Sequence, residues 1–205
     1  MSGLFISFEG IDGVGKSTQA DLLEKYLVGL GKTVVRTLEP GGTEVGVEIR
    51  KILLHHRGEL APRAEAALFA ADRAHHVASK IRPALARGEI VITDRYFDSS
   101  VAYQGAGREL SMDEVRNLSL WAVGGLLPDL TILLDLPAEV ARSRRNKTGT
   151  EPDRLESEKI EFFERARQAY LKLASDEPNR FLVVDASAEV EQMQEIIRAR
   201  VSGLI

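Results

Sequence analysis

Short apolar runs alternate along the chain with longer stretches in which apolar residues recur at helical spacing. The runs predict strands at Leu4–Phe8, Thr33–Leu38, Ile90–Thr93, Leu130–Leu134 and Arg180–Val184. The third and fourth runs are almost wholly apolar, which is typical of parallel strands that are covered on both faces. The alternation of strands and helices therefore predicts a three-layer α/β fold with a five-stranded parallel sheet flanked by helices.

A long helix is predicted over Arg63–Arg87, and its two sides differ in composition. At about 100° per residue, one stripe is mostly apolar and is the expected core face. This stripe consists of Ala64, Ala67, Leu68, Ala71, His75, Ala78 and Leu85. Phe69, Arg73 and His76 fall on the opposite side, where a ring and a guanidinium one turn apart could stack on a base and donate to it. The alternative is a phenylalanine that is exposed or buried in a dimer interface.

Length and composition limit the class of protein. The chain has 205 residues, of which 44% are hydrophobic, and this predicts a single domain over residues 1–205. The net charge of -4 argues against nucleic-acid or membrane partners, and the absence of cysteine excludes thiolate chemistry and cysteine-ligated metals. No apolar run reaches the roughly 18 residues of a membrane span and no leader pattern is present, so a cytoplasmic protein is expected.

A phosphate-binding loop is indicated directly after the first strand. Gly10–Ser17 reads G-I-D-G-V-G-K-S and fits G-x-x-x-x-G-K-[ST] between a strand and a helix that begins near Lys16. Glycines let main-chain N–H groups converge on a phosphate, while Lys16 reaches the β- and γ-phosphates and the Ser17 hydroxyl binds Mg²⁺. The strand–loop–helix context argues against an accidental match. The residues predicted to bind ATP are Gly10, Ile11, Asp12, Gly13, Val14, Gly15, Lys16, Ser17 and Thr18.

Three classes of protein use such a loop: a GTPase, an ATPase motor or regulatory module, and a small-molecule kinase. Asn146–Gly149, N-K-T-G, lacks the acidic fourth residue with which a GTPase reads guanine. A chain of 205 residues leaves little room for the accessory parts of a motor. A kinase is therefore favoured, and a module that hydrolyses ATP without transferring phosphate is the alternative from another class.

An acidic residue, Asp94, and a basic residue, Arg95, directly follow the predicted strand Ile90–Thr93. Asp94 is expected at the carboxyl edge of the sheet beside the phosphate loop, where it could hold Mg²⁺ through water, and Arg95 could clamp an acceptor phosphate. The alternative is a strand-end acid that caps the next helix, with Arg95 as its surface partner. Asp135 is a rival for the metal role, although Pro137 shortly after it favours helix capping.

Three strings of the sequence are distinctive: Phe8–Thr18 (F-E-G-I-D-G-V-G-K-S-T), Glu39–Thr43 (E-P-G-G-T) and Asp94–Gly105 (D-R-Y-F-D-S-S-V-A-Y-Q-G). In these strings the sequence resembles the thymidylate kinase family, and the resemblance extends over the whole chain. The resemblance implies the P-loop nucleoside-monophosphate-kinase fold, a homodimer, and phosphorylation of dTMP to dTDP with ATP and Mg²⁺. A kinase for another nucleotide or a deoxynucleoside is the alternative with the same chemistry.

The resemblance also implies roles for individual residues around dTMP. Phe69 is expected to stack on thymine, Arg73 to donate to its O4, and Gln104 to address its N3–O4 edge. Tyr103 is expected where a ribose 2′-hydroxyl would lie, and Asp12 accepts from the 3′-hydroxyl. The complete set implied to bind dTMP is Asp12, Glu39, Arg50, Phe69, Arg73, Arg95, Ser100, Tyr103 and Gln104, in which Arg50 and Arg95 clamp the phosphate. For Arg50, a solvated helix face is the alternative.

The phosphate loop has no arginine, unlike that of some family members, so another cation is needed at the transferred group. Arg142–Arg154 is polar, rich in arginine and interrupted by Gly149 and Pro152, which predicts a mobile loop. It is interpreted as a lid that closes over ATP, with a solvated charge run as the alternative. Its candidate cations are Arg144, Arg145, Lys147 and Arg154; Arg145 and Arg154 are taken as catalytic, together with Lys16, Asp12 and Arg95.

Overall fold

The computed structural model describes residues 3–56, 58–108, 110–147, 149 and 151–205. Among these residues, five parallel strands form one sheet in the order β2-β3-β1-β4-β5. The strands are β1 (Leu4–Glu9), β2 (Val34–Leu38), β3 (Ile90–Asp94), β4 (Leu130–Asp135) and β5 (Phe181–Asp185). Each strand end lies within one residue of its predicted position.

Helices flank the sheet. They are α1 (Lys16–Gly29), α2 (Glu44–His55), α3 (Pro62–His76), α4 (Arg82–Ala86), α5 (Phe97–Ser100), α6 (Met112–Ala122), α7 (Ala138–Asn146), α8 (Ile160–Asp176) and α9 (Val190–Ser202). Two π-helical segments continue the chain without a break, Val77–Ile81 after α3 and Val101–Gly107 after α5. None of the described helices has the length and apolar character that a bilayer crossing requires.

The central strands are buried on both faces, as the apolar runs predicted. In β4, consecutive residues from Leu130 to Leu134 are buried, although their side chains point alternately to the two faces. Helix α1 packs against β1, β2, β3 and α9, while α8 packs against β4 and β5. The predicted three-layer α/β fold, with a five-stranded parallel sheet flanked by helices, is therefore confirmed.

Strand register brings two predicted site segments together at one edge. In the pairing of β1 with β3, Phe8 lies opposite Asp94, so both strands end at the same level. The loop Gly10–Gly15 leaves β1 between β3 and β4, and Asp94 ends the neighbouring strand. Ligands of open α/β sheets bind at this carboxyl edge.

The predicted core face of the helix after Pro62 was wrong. Ala64, Ala67, Ala71 and Ala78 are exposed, whereas Phe69 and the charged residues around it are buried. Leu68 and Leu85 are half-buried, and His75 is exposed. Alanine tolerates either environment, so the stripe carried little information. Glu65, Arg73 and His76 are stable in the interior because each meets a polar partner there. The π-helical turn Val77–Ile81 also shifts the later residues off a 100° pattern.

The predicted boundary of the arginine-rich loop was also wrong. Helix α7 continues through Arg142–Asn146, so the first third of that segment is helical. Arginine is a good helix former, and the arginines lie on the outer side of the helix while Ala138 and Ala141 pack inward. Thr148 and Thr150 of the predicted loop lie outside the described residues, and turns at residues 154–157 precede α8.

Candidate active site

The phosphate loop is held open by three glycines and one lysine. Gly10, Gly13 and Gly15 have φ values of +129°, +86° and +96°, a region that side chains disfavour. Lys16 Nζ donates to the Gly10 and Ile11 carbonyl oxygens at 3.1 and 2.9 Å. Burial, aided by the Arg95 guanidinium, lowers the pKa of Lys16. The ammonium group therefore lies across the mouth of the loop, in position for an anion.

Gly13 sets how closely helix α7 approaches the loop. A Cβ atom built on Gly13 would overlap the Ala141 carbonyl oxygen and lie 3.1 Å from the Arg145 Cβ. Only glycine fits, because the contact is with helix backbone that cannot move aside. The position of Arg145 over the loop thus depends on this glycine.

Gly13→Ala should separate α7 from the phosphate loop and destabilise the fold by about 2 kcal/mol or more, since it adds overlap to backbone strain. Urea unfolding measures the stability loss, and the KM for ATP reports the displaced helix. Gly31→Ala is the matched control because Gly31 also has a positive φ of +77° but nothing lies within 4 Å of its Cβ position. The control should lose only about 1 kcal/mol. Equal losses in the two variants would contradict the packing argument.

Ser17 and Asp94 form a pair of oxygen ligands at the loop. The Ser17 hydroxyl donates to Asp94 Oδ2 at 2.7 Å. Hydroxyl and carboxylate oxygens suit Mg²⁺, which usually takes few protein ligands and completes its shell with phosphate and water. Among the described residues, no group of three or more histidine or acidic side chains forms a protein-only metal site. The donor set therefore fits a Mg²⁺ ion that arrives with a nucleotide.

Arg95 is the centre of the site, and its backbone is strained. Its φ is +70°, which non-glycine residues rarely adopt and which is found at functional sites. Arg95 donates to Asp12 Oδ1 and to the Tyr103 hydroxyl, and its other terminal nitrogen donates to Gly10 O at 2.9 Å. The alternative of a surface partner for Asp94 is excluded by these contacts.

Asp12 stays ionised beside this guanidinium. Burial by itself would raise the pKa of Asp12, but the Arg95 and Lys16 charges outweigh it and lower the pKa to about 2. Asp12 Oδ2 also accepts from the Tyr103 hydroxyl at 3.0 Å. The carboxylate is thus a permanent acceptor at the boundary between the phosphate loop and the neighbouring cleft.

That neighbouring cleft, named here the Phe69 cleft, has a cavity volume of about 140 Å³. Every residue that the sequence predicted to bind dTMP lines it: Asp12, Glu39, Arg50, Phe69, Arg73, Arg95, Ser100, Tyr103 and Gln104. Pro40, Leu54, Ser99, Asp153, Leu155 and Glu156 complete the lining. Segments that are far apart in sequence therefore build one concave site.

A second hollow, the P-loop cleft, has a cavity volume of about 380 Å³ and adjoins the first. Of the residues predicted to bind ATP, those that line it are Asp12, Gly13, Gly15, Lys16, Ser17 and Thr18. Gly10 and Val14 lie beneath the surface, and Ile11 faces a small hollow beside α7. Both clefts share Asp12, Glu39, Arg50, Arg95 and Glu156 in their walls, so a ligand in one would meet a ligand in the other beside these charged residues.

Glu39 organises the floor of the Phe69 cleft. Its carboxylate accepts from Arg73 Nε at 2.6 Å and from His76 Nδ1 at 2.8 Å. Arg73 also donates to the Ser100 hydroxyl and to the Tyr96 carbonyl oxygen. The guanidinium of Arg73 is therefore fixed before any ligand arrives, which lowers the entropic cost of binding.

Arg50 faces the site and not the solvent. Its guanidinium donates to the Pro40 carbonyl oxygen at 2.8 Å and lines both clefts. The solvated helix face considered from the sequence is thus contradicted.

A sequence model described as thymidylate kinase matches residues 8–197 of the chain. The chain belongs to the thymidylate kinase family. It is therefore a nucleoside monophosphate kinase, a phosphotransferase.

Relatives named thymidylate kinase match along the full length. The one from Leifsonia xyli subsp. xyli is 66% identical, over 99% of this chain and 96% of its own. The one from Clavibacter michiganensis subsp. michiganensis is 61% identical, over 100% and 97%. The one from Bifidobacterium longum subsp. infantis is 56% identical, over 100% and 88%.

The cations of the predicted lid occupy different places in this thymidylate kinase family member. Arg145 pairs with Glu156, beside the hollow that contains Asp12. Arg154 lines neither cleft and donates to Glu65 at 2.6 Å and to the Leu53 carbonyl oxygen at 2.8 Å. These two guanidiniums are part of the folded structure and not a solvated charge run.

Two other predicted residues have structural partners. Arg144 donates to the Ala186 carbonyl oxygen at 2.7 Å and ties α7 to the loop after β5. Asp135 was expected to cap a helix, but it accepts two hydrogen bonds from Arg167, and the residue before α7 is Pro137. The guanidinium is a stronger partner for the carboxylate than a helix N-terminus.

Sequence reasoning missed several residues that support the site: Glu9, Glu65, Arg108, Glu156 and Tyr170. Glu65 lies one turn before Phe69 on the same buried helix face, and this spacing was available as a signal. Glu9 is an acid inside an apolar strand, which indicates a buried partner. No local pattern marks Tyr170 or Glu156, because long-range folding brings them to the site.

Glu9 supports Arg95 from below. It is fully buried, and Oε2 accepts from the Ser99 hydroxyl at 2.6 Å and the Tyr170 hydroxyl at 2.9 Å. These two hydroxyls in turn accept from Arg95 at 3.3 and 3.4 Å. Burial, with the Asp98 carboxylate nearby, raises the pKa of Glu9 to about 7.

The raised pKa makes stability depend on pH. The folded state binds a proton at Glu9 that the unfolded chain, with a pKa near 4.5, releases. This stabilisation is complete below pH 4.5 and is lost as the pH rises through 7. The Tm of Glu9→Gln minus the Tm of the natural protein should therefore rise by roughly 5 °C as the pH increases from 5 to 8.5. Thermal unfolding across this range measures it, with exposed Glu195→Gln as the control, and parallel curves for Glu9→Gln and the natural protein would contradict it.

Proposed function

We propose that this protein transfers the γ-phosphoryl group of ATP to the phosphate of dTMP, which gives dTDP and ADP. The observation that carries this proposal is the joining of the two clefts. The residues expected to hold dTMP line one cleft, the phosphate loop lines the other, and Asp12, Arg50 and Arg95 lie in both walls. Two phosphates held there would approach end to end.

The phosphate loop binds the donor. Main-chain N–H groups of the loop and the N-terminus of α1 attract the phosphates of ATP, and Lys16 neutralises the charge that develops on the transferred group. Ser17 and Asp94 would hold Mg²⁺. A bound Mg²⁺ supplies charge neutralisation at the phosphate oxygens. The dTMP phosphate is already an anionic nucleophile, so no protein base is required.

The Phe69 cleft binds the acceptor. Phe69 stacks on the thymine ring, Arg73 donates to O4 and Gln104 reads the N3–O4 edge. Asp12 accepts from the 3′-hydroxyl, and Tyr103, fixed by its contact with Asp12, occupies the space of a 2′-hydroxyl. Arg50 and Arg95 hold the phosphate in line with the donor.

Segment 142–154 acts as a lid in this proposal. The Arg145–Glu156 pair borders the hollow next to Asp12, so a nucleotide phosphate can replace Glu156 as the partner of Arg145. Arg145 is then the cation that the phosphate loop lacks. Arg154 stays a predicted catalytic residue whose guanidinium would have to leave Glu65 to reach a phosphate.

We also propose a homodimer. The exposed stripe on α3 that includes Ala64, Ala67 and Ala71 carries small apolar side chains, which would let a helix of a second copy approach closely. A measurement of the molecular mass in solution tests this proposal, and a value twice that of one chain is expected. The cytoplasmic location stays a prediction.

The acceptor assignment is tested by turnover on dTMP, dUMP, dCMP and thymidine, with ADP and the nucleoside diphosphate measured together. We expect dTDP to form in equal amount to ADP, with dTMP preferred. A preference for thymidine would favour a deoxynucleoside kinase, and ADP formed without dTDP would favour a non-transferring ATPase.

A further inference from the structure

One buried carboxylate joins three segments behind the Phe69 cleft. Glu65 on α3 is 0% exposed, and it accepts from Gln104 Nε2 at 3.0 Å. Arg108 donates to both of its oxygens at 3.2 Å, and Arg154 donates to Oε2 at 2.6 Å. Three donor residues on a single buried carboxylate make a network in which each hydrogen bond restrains the others.

Glu65 is ionised in this cluster. Burial alone would raise the pKa of Glu65, but hydrogen bonds from Arg108 and Gln104 and the guanidinium charges outweigh it and lower the pKa. An ionised carboxylate only accepts hydrogen bonds. Glu65 therefore presents an acceptor to Gln104 over the whole physiological pH range.

This acceptor determines which way the Gln104 amide faces. A side-chain amide has an NH₂ donor and a carbonyl acceptor, and only the NH₂ group can face a carboxylate without repulsion. Within the described part of the chain, the Gln104 carbonyl oxygen accepts no hydrogen bond. It is also not one of the fully buried polar atoms that lack a partner, so it is not sealed in the interior. Gln104 lines the Phe69 cleft, so its carbonyl oxygen is the group that the cleft presents to a ligand.

We propose that Glu65 is a positioning residue that sets the base specificity of the enzyme, by holding the Gln104 amide with its carbonyl oxygen towards the bound base. The inference rests on the proposed role of Gln104 as a reader of the base. Thymine and uracil carry an N3–H donor that this oxygen accepts. Cytosine carries an unprotonated N3, which would place two acceptors against each other.

The direct test is Glu65→Gln, which keeps the shape of the side chain but allows the Gln104 amide to turn. The ratio of kcat/KM for dTMP to that for dCMP should fall roughly tenfold or more, because the fixed acceptor is lost. Glu158→Gln is the matched control. Glu158 pairs with the same Arg108 but not with Gln104, so its ratio should stay within about twofold of the natural value.

A double variant separates positioning from a general effect on structure. Gln104→Leu removes the reader, so adding Glu65→Gln to it should change the dTMP/dCMP ratio no further. A further fall of similar size in the Gln104→Leu background would overturn the proposal, since Glu65 would then act without Gln104. An unchanged ratio in Glu65→Gln, with a lowered ratio in Gln104→Leu, would also overturn it while leaving the base-reading role intact. No preference for dTMP in the natural protein would overturn the base-reading role itself.

A measurement on the natural protein covers the case in which Glu65→Gln does not fold. The ¹⁵N spectrum of the Gln104 side-chain NH₂ group, assigned by its disappearance in Gln104→Leu, should show one proton protected from exchange without ligand. Protection is expected because that proton is donated to a buried carboxylate. Exchange of both protons as fast as in an exposed glutamine would overturn the proposal.

Discussion

Lys16→Met should lower kcat by about a thousandfold while leaving the protein folded. The methionine retains the apolar stem of the lysine, but the charge that meets the transferred phosphoryl group is lost. Because the burial of Lys16 outweighs the favourable charges of Asp12, Asp94 and Glu9 and lowers its pKa, the variant should be at least as stable as the natural protein. Steady-state turnover and thermal unfolding measure the two effects.

Lys25→Met is the control for Lys16→Met. Lys25 lies on the same helix α1 but is exposed, so this variant should keep its activity. A kcat for Lys16→Met within tenfold of the natural value would contradict the assigned role. A fall in KM for ATP together with kcat would indicate that the lysine strains the bound donor and does not stabilise the transition state.

Arg95→Lys should lower kcat/KM for dTMP by roughly a thousandfold and alter the KM for ATP much less. Lysine keeps the positive charge, and the strained backbone is equally unfavourable for both residues. A single ammonium group, however, cannot donate at once to Asp12, Tyr103 and the Gly10 carbonyl oxygen as the planar guanidinium does. The dTMP phosphate then loses an oriented partner, and Asp12 loses the hydrogen bond from the guanidinium. Initial rates with each substrate varied in turn measure the split.

Arg87→Lys is the control for Arg95→Lys, because Arg87 is an exposed arginine with a simple surface partner, Glu89. Its kinetic constants should not change. If Arg95→Lys raised the KM for ATP as much as that for dTMP, Arg95 would be a structural support of the phosphate loop and not a clamp for the acceptor.

The strands and the phosphate loop were predictable because their signals are local. Five apolar runs placed the strands, since a strand buried on both faces cannot contain many polar residues. The spacing of Gly10, Gly15 and Lys16 indicated the loop because the backbone conformation requires glycine at set positions. Asp94 and Ser17 could be expected to meet because parallel strands end together at one edge of the sheet.

The helix α3 shows where local signals fail. Its sequence offered an alanine-rich stripe and a charged stripe, and hydrophobicity alone favoured burying the alanines. The structure buries Glu65, Arg73 and His76, because acids and bases from other segments pair with them. A buried charge is stable only with its partners, and the partners are not neighbours in sequence.

The sequence by itself determined the order of strands and helices, the phosphate loop, and the residue types that can bind a nucleotide at the sheet edge. These depend on spacing along one chain and on the chemistry of single side chains. Only the tertiary structure decided which carboxylate meets which guanidinium: Asp12 with Arg95, Glu39 with Arg73, and Glu65 with Gln104 and Arg154. The physical reason is that a carboxylate accepts equally well from any nearby donor, so the choice among donors is made by the packing that brings them within reach.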